Sequence, residues 1–339
     1  MTDRAPTPVI VVSGFLGSGK TTLLRNLLAD PRAGEVAVIV NEFGEVGIDH
    51  HLVRKTDART TLLANGCVCC SMRDDLAEAL RGLLSQRHRG TIPPFTRVVI
   101  ETTGLADPAP ILQTIVHDPV LRHHYRVGRV VATIDAPGGA TNLETYGEAL
   151  RQAAAAHLIV VTKQDLTTSE AGSALKDSLG AINPTATILD AAFGQIDFTA
   201  LFADHGAGTD TRGIVGTLGT LPRAESAALA PMHAASERVV SRCLVFEEPL
   251  NWQMFGIWLT MLLHRYGERV LRMKGLLNVG EEKGPLLLEG VQHVMHAPRH
   301  LAEWPDEDRR SRIVFIARDL DLDQVETSLR VFQELASAV

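Results

Sequence analysis

The chain has 339 residues, 45% of them hydrophobic and 22% charged, which is ordinary globular usage with length for about two domains. A formal net charge of −7 without a long Lys/Arg run excludes a basic nucleic-acid footprint. No apolar stretch reaches the roughly 18 residues of a membrane span, Met254–Leu263 being the nearest, and no signal peptide precedes the first apolar run. A cytoplasmic protein with neither nucleic-acid nor membrane partners is expected.

Val9–Val12 is a β-branched run that predicts a buried strand, and Lys20–Leu28 has apolar positions at helical spacing. Between them Gly14, Gly19, Lys20 and Thr21 fit the phosphate-binding pattern G-x-x-x-x-G-K-[ST]. Glycines let the backbone turn its N–H groups toward phosphate, and the following helix offers its positive N-terminus to the same anion. Lys20 would reach the β and γ oxygens, and the Thr21 hydroxyl would ligate Mg²⁺. Val36–Val40 predicts a second strand, followed by Asn41-Glu42-Phe43-Gly44-Glu45, the place for a switch loop that senses the γ-phosphate. Acids there could ligate metal, although spacing alone favours a solvated acidic loop, and the pair His50-His51 reads as solvated.

Thr60–Leu63 predicts a third strand and Asp74–Leu84 a helix. Between them, Gly66-Cys67-Val68-Cys69-Cys70 gathers three of the four cysteines of the chain. Neighbours this close make a poor disulfide framework, and in a reducing compartment they read as metal-binding or redox-active. In an extended segment Cys67 and Cys69 share a face. Thiolates there would suit Zn²⁺, Cu(I), Co²⁺ or Ni²⁺. A buried apolar cluster and a thiol redox role are the competing readings.

Val98–Ile100 predicts a strand that ends in Glu101-Thr102-Thr103-Gly104. An acid there can hold the Mg²⁺ shell, and the Gly104 N–H can meet a γ-phosphate. The next residue is Leu105 and no water-positioning Gln follows, which predicts intrinsic turnover below roughly 0.1 s⁻¹. Val130–Ile134 and Leu158–Val161 predict further strands, and Ser169–Leu179 a helix. Thr162-Lys163-Gln164-Asp165 follows the last of these strands. The Asp165 carboxylate can accept from guanine N1–H and N2–H₂, a donor pair that adenine lacks, while the Lys163 stem covers the ring. Strand–helix alternation with continuously apolar strands predicts a mostly parallel α/β sheet over residues 1–202.

Residues 203–237 lose periodicity and read as a linker. Beyond it Arg242–Phe246, Val270–Val279, Pro285–His296 and Arg312–Ala317 predict strands, and Trp252–Tyr266 and Leu322–Ala336 helices. This makes a smaller α+β domain over 238–339. His293 and His296, on one strand at that spacing, would face opposite ways and serve poorly as joint ligands. The Met254–Leu263 face reads as core.

In their order, GFLGSGKTT, NEFGEVGID, NGCVCC, ETTG and TKQD resemble the CobW-like GTPases, relatives of the nickel-insertion P-loop GTPases of urease and hydrogenase maturation. Arg272-Met273-Lys274-Gly275 and Arg312–Asp321 resemble the second domain of that family. The resemblance implies a GTP-hydrolysing metallochaperone that loads a transition metal, Zn²⁺ or Co²⁺, and delivers it to a client metalloprotein. By position it assigns Gly14, Gly17, Ser18, Gly19, Lys20, Thr21, Thr22 and Gly104 to phosphate and Mg²⁺, with Lys20, Thr21 and Glu101 catalytic. Thr162, Lys163 and Asp165 fall to guanine, and Cys67, Cys69 and Cys70 to the metal, with Glu42 joining from the switch. A GTP- or metal-dependent homodimer is compatible with it. Many members carry a His-rich run before the second domain; here that stretch has only His205 and His233, which argues against metal storage. The competing functions are a GTP-liganded metal sensor without catalysis and an ATP-using P-loop kinase.

Overall fold

The structure is a computed structural model that describes residues 5–30, 35–40, 60–64, 72–196, 201–202, 232–234, 237–280 and 284–337. The chain forms two compact units, one of Met1–Asn142, Ala156–Leu175 and Ile188–Ala207, the other of Leu143–Ala155, Lys176–Thr187 and Gly208–Val339.

In chain order the first elements are β1 (Thr7–Gly14), α1 (Lys20–Ala29), β2 (Val36–Val40), β3 (Thr60–Ala64), α2 (Met72–Arg89), β4 (Arg97–Glu101), α3 (Ala109–His117), α4 (Leu121–His124) and β5 (Tyr125–Asp135). They continue with α5 (Gly139–Thr145), α6 (Gly147–Ala155), β6 (Leu158–Thr162), α7 (Ser169–Ile182) and β7 (Thr187–Asp190). The strands order as β3-β2-β4-β1-β5-β6-β7, and the pairs from β3 to β6 are parallel. Parallel strands need crossovers, so helices cover the faces and the strands must be apolar on both sides. β6 is accordingly buried at every position. Leu23, Leu24, Leu27 and Leu28 of α1 pack with Ile10, Val12, Val38, Val99 and Val160. Each crossover returns the chain to the same end of the sheet, so the loops leaving the C-terminal strand ends gather along one edge, where open α/β sheets bind ligands. The register is tight there: Glu101 stands opposite both Val12 and Val40, Val40 opposite Ala64, and Thr162 opposite Asp135.

The second unit is built on an antiparallel sheet, β12-β11-β10-β14-β9-β8 with β13 on β11. Its strands are β8 (Met232–Ala234), β9 (Glu237–Phe246), β10 (Val270–Leu277), β11 (Leu286–Val291), β12 (Val294–Met295), β13 (Arg299–His300) and β14 (Ser311–Arg318). Its helices α8 (Trp252–Tyr266) and α9 (Leu322–Ser337) pack against each other and the sheet. Asn251 caps α8 by accepting from the Met254 N–H at 3.1 Å. Phe255, Trp258, Leu259, Leu262 and Leu263, spaced for one helical face, are core residues with Met273, Phe315 and Leu329.

The structure departs from the sequence reading in several places. Pro285–His296 is not one strand: Gln292 adopts φ 50° and turns the chain between β11 and β12. No glycine or proline marks that turn, so His293 and His296 do not share a strand at all. Within 203–237, Met232–Ala234 pairs with β9 as β8. The helix α6, which buries Ala149, Ala153, Ala154 and Ala155 with Leu150 as its single large apolar residue, goes unread, as do α3, α4 and α5. The edge strand β7, partly open at every position, likewise lacks a continuous apolar run. Among the described residues no helix is long and apolar enough to cross a membrane.

Candidate functional site

Gly14 closes β1 and Lys20 opens α1, so the loop between them turns at the sheet edge. Gly19 precedes the helix at φ 91°, a left-handed conformation that disfavours a side chain. Lys20 is nine-tenths buried, and its Nζ donates to the carbonyl oxygens of Gly14 at 2.7 Å and Phe15 at 3.0 Å. The ammonium is thus folded into the loop on weak, neutral acceptors that a phosphate oxygen outcompetes. Ser18 is buried, and its hydroxyl lies 2.6 Å from that of Thr133 on β5.

The β4 end closes on this loop. Thr21 Oγ1 donates to Glu101 Oε1 at 2.6 Å, joining two hard oxygen groups from α1 and β4. The Thr102 N–H donates to Val12 O at 3.0 Å. Gly104 lies so close to the loop that a Cβ there would stand 2.7 Å from the Leu16 backbone nitrogen. Only glycine admits this approach. Leu16 and Leu105 are both exposed beside it.

The β6 end closes from the other side. Thr162, buried, donates its hydroxyl to Ser18 O at 2.7 Å. A hydroxyl at this position thus suffices to reach the loop between β1 and α1. Lys163 is in the left-handed region at φ 56°, and its Nζ donates to Gly17 O at 2.7 Å and lies 3.9 Å from Asp135. Its stem therefore runs along the loop. Asp165 stands exposed in a short 3₁₀ turn, Gln164–Leu166, which Gln164 ties to Asp190 at 2.8 Å.

The structure thus brings together Gly14, Gly17, Ser18, Gly19, Lys20, Thr21, Thr22, Glu101, Gly104, Thr162, Lys163 and Asp165 along one sheet edge. Sequence reading missed Thr133 and Asp135, which extend the same edge from β5. A strand-end acid signals Asp135, whereas nothing distinguishes Thr133 from other strand threonines. Glu42, Cys67, Cys69, Cys70 and the pair His50-His51 lie outside the described residues. Among the described residues no group of three or more His, Cys, Asp or Glu side chains could hold a metal ion. Cys243, the remaining cysteine, is half-buried on β9, and burial pushes its thiol up to about 11, away from the thiolate form.

A strand, a glycine-bearing loop, a helix-opening Lys-Thr and an acid on a neighbouring parallel strand define a P-loop nucleotide-binding protein. Residues 8–190 match the CobW/HypB/UreG nucleotide-binding domain and residues 239–333 the cobalamin synthesis protein cobW C-terminal domain. The chain belongs to this CobW/HypB/UreG family. It is 34% identical over 328 residues to the zinc chaperone YjiA of Escherichia coli, covering 95% of this chain and 98% of that one. The zinc chaperone CobW of Pseudomonas aeruginosa is 28% identical over 372 residues, 97% of this chain and 92% of that one. The crystal structure of zinc-bound YjiA GTPase from E. coli matches with a TM-score of 0.68 at 27% identity, over 97% of this chain and 99% of that chain.

Proposed function

We propose that this protein is a GTP-hydrolysing metallochaperone that takes zinc as cargo at Cys67, Cys69 and Cys70, with Glu42, and passes it to a client metalloprotein. The observation that carries the reading is the strand register. Val40, the last residue of β2 before Asn41-Glu42, stands opposite both Ala64, the last residue of β3 before Asn65–Cys70, and Glu101 of the nucleotide site. Both cargo-bearing segments therefore leave the sheet where the γ-phosphate would be sensed. The names of the zinc-chaperone relatives support zinc over cobalt. Thr21 and Glu101 are an oxygen pair of the kind that holds Mg²⁺, which when bound neutralises charge on the β and γ phosphate oxygens. Lys20 exchanges loop carbonyls for phosphate oxygens, Lys163 covers the base and Asp165 accepts from its N1–H and N2–H₂.

GTP gates the cargo only if zinc affinity differs between nucleotide states, each tenfold requiring ~1.4 kcal/mol of coupling. Zinc titrations with a non-hydrolysable GTP analogue and with GDP are expected to give different affinities. Equal affinities would end the gating idea. Replacing Cys67, Cys69 and Cys70 together by Ala is expected to abolish tight zinc binding and spare GTP affinity.

A further inference from the structure

Phe193 is 74% exposed, the highest value for a large apolar side chain among the described residues. It also adopts φ 53°, and Gly194 follows at φ 70°. A left-handed aromatic residue costs conformational energy, and an open phenyl ring gains no burial in return. Folding alone therefore gives no reason for this ring.

The backbone that presents it is firmly tied. The Ala191 N–H donates to Val161 O of β6 at 2.8 Å, and the Gln195 N–H to Ala192 O at 2.9 Å. Asn26 Nδ2 of α1 donates to Phe193 O at 2.9 Å. Gly194 sits against Thr22, where a Cβ would meet the Thr22 methyl at 2.9 Å. The loop is thus clamped to the first two turns of the helix that follows the phosphate loop. Through Gln164 and Asp190 it is also tied to the turn that carries Asp165. Two non-glycine residues with positive φ, Lys163 and Phe193, stand on neighbouring loops around the same helix start.

We propose that Phe193 is the stacking wall of the base pocket: the purine lies on its phenyl face, with the Lys163 stem on the other face and Asp165 at the edge. This rests on the guanine-nucleotide reading above. Stacking accepts any purine, because every base has a π-face. Phe193 should therefore govern how tightly a nucleotide is held, while Asp165 governs which one.

The test is calorimetric titration with GDP and with IDP, which lacks the 2-amino group, on wild type, Phe193→Ala, Phe193→Trp and Asp165→Asn. Phe193→Ala is expected to weaken GDP and IDP by the same factor, about 5- to 150-fold, with an unchanged unfolding midpoint. Asp165→Asn is expected to change the GDP/IDP ratio instead. The native tryptophans, Trp252, Trp258 and Trp304, all belong to the second unit, so Phe193→Trp introduces an indole into the first. It should restore affinity, and GDP should quench its fluorescence above the wild-type signal. Wild-type affinity in Phe193→Ala, a changed GDP/IDP ratio in it, or an unresponsive indole would each overturn the stacking role alone. A wild-type chain that binds no GDP would overturn the nucleotide reading along with it.

Discussion

In the first unit the strands are mostly apolar, Arg129 being a buried charge inside β5, and most of the other buried polar side chains gather where the strands stop. Lys20, Glu101 and Thr162 are all buried, yet each sits at a strand end or in the first turn beyond one. In the second unit the buried charges sit inside the strands: Arg272 and Lys274 on β10, Glu289 on β11 and Arg312 on β14. Their partners are fixed. Arg272 donates to Thr185 Oγ1 at 2.8 Å and to Ala155 O at 3.1 Å. Lys274 lies 3.5 Å from Glu289, and Arg312 forks onto Asp306 at 2.8 and 2.9 Å. Burial of a charge therefore does not mark a site. What distinguishes Lys20 is that its acceptors are loop carbonyls that a ligand can replace, whereas Arg272 holds a helix end and a turn for which no ligand is needed.

The comparison breaks most sharply at Lys20. Lys20→Ala removes the cation proposed above to meet the transferred phosphate and should lower GTP turnover by at least ~10²-fold, measured as phosphate release. The unfolding midpoint should move far less than turnover, since the bonds lost to Gly14 O and Phe15 O lie within the loop itself. A variant that hydrolyses at the wild-type rate would deny the loop its catalytic role.

Arg272→Ala tests the other side. Burial pulls this guanidinium down to about 10, partly offset by the Glu289 carboxylate. Truncation relieves that desolvation but strands the Ala155 carbonyl and leaves a cavity, so a net loss of about 2–4 kcal/mol is expected. Because every tryptophan is in the second unit, their fluorescence in a denaturant titration reads it directly. If Arg272→Ala abolished nucleotide binding in a protein still folded by that signal, the separation between site charges and structural charges would fall.

How far these contrasts were legible in the sequence follows from the kinds of signal involved. That Gly14, Lys20, Thr21, Glu101, Lys163 and Asp165 would meet at one edge was readable because each falls at or just beyond the end of an apolar strand run, and the structure brings them to one edge. The parallel sheet was readable because doubly covered strands are apolar throughout. The hairpin at Gln292 was not, since its turn uses φ 50° without a glycine or proline. Nor was α6, whose buried alanines leave no large apolar stripe. Phe193 also escaped notice, because the strand before it, β7, is short and partly exposed, and an aromatic beside a glycine reads as an ordinary turn.

Thr162→Val sharpens the comparison within the first unit. The shape is kept, and the hydroxyl's bonds to Ser18 O at 2.7 Å and, more weakly, to Ile134 O at 3.4 Å are lost. An unsatisfied buried carbonyl costs about 1–3 kcal/mol, some of it expressed as loosening of the phosphate loop. GDP affinity should fall by roughly 5- to 30-fold, while Thr162→Ser, which keeps the hydroxyl, should stay near wild type. Equal affinities in Val and Ser variants would mean that the bond does not shape the nucleotide site.

The smallest expected effect is a pH dependence confined to the second unit. Asp308 is held down to about 2, chiefly by the Arg310 guanidinium bonded to it and by the Arg310 backbone N–H, against the opposing effect of burial. The guanidinium donates to Oδ1 and Oδ2, each at 2.9 Å. A carboxyl whose folded pKa lies below its unfolded value of ~3.9 stabilises the fold at all higher pH. That contribution is lost as pH falls from about 4 toward 2, where the folded carboxyl takes up its proton. Asp308→Asn should thus lower stability near neutrality by on the order of 1 kcal/mol, given the solvent screening of a partly open pair. It should also flatten the stability profile between pH 4 and 2. Lys20→Ala should leave that acid limb of the tryptophan signal untouched. A profile for Asp308→Asn as steep as the wild type would show that the Asp308–Arg310 pair contributes nothing to the acid limb, and that other carboxylates of the unit produce it.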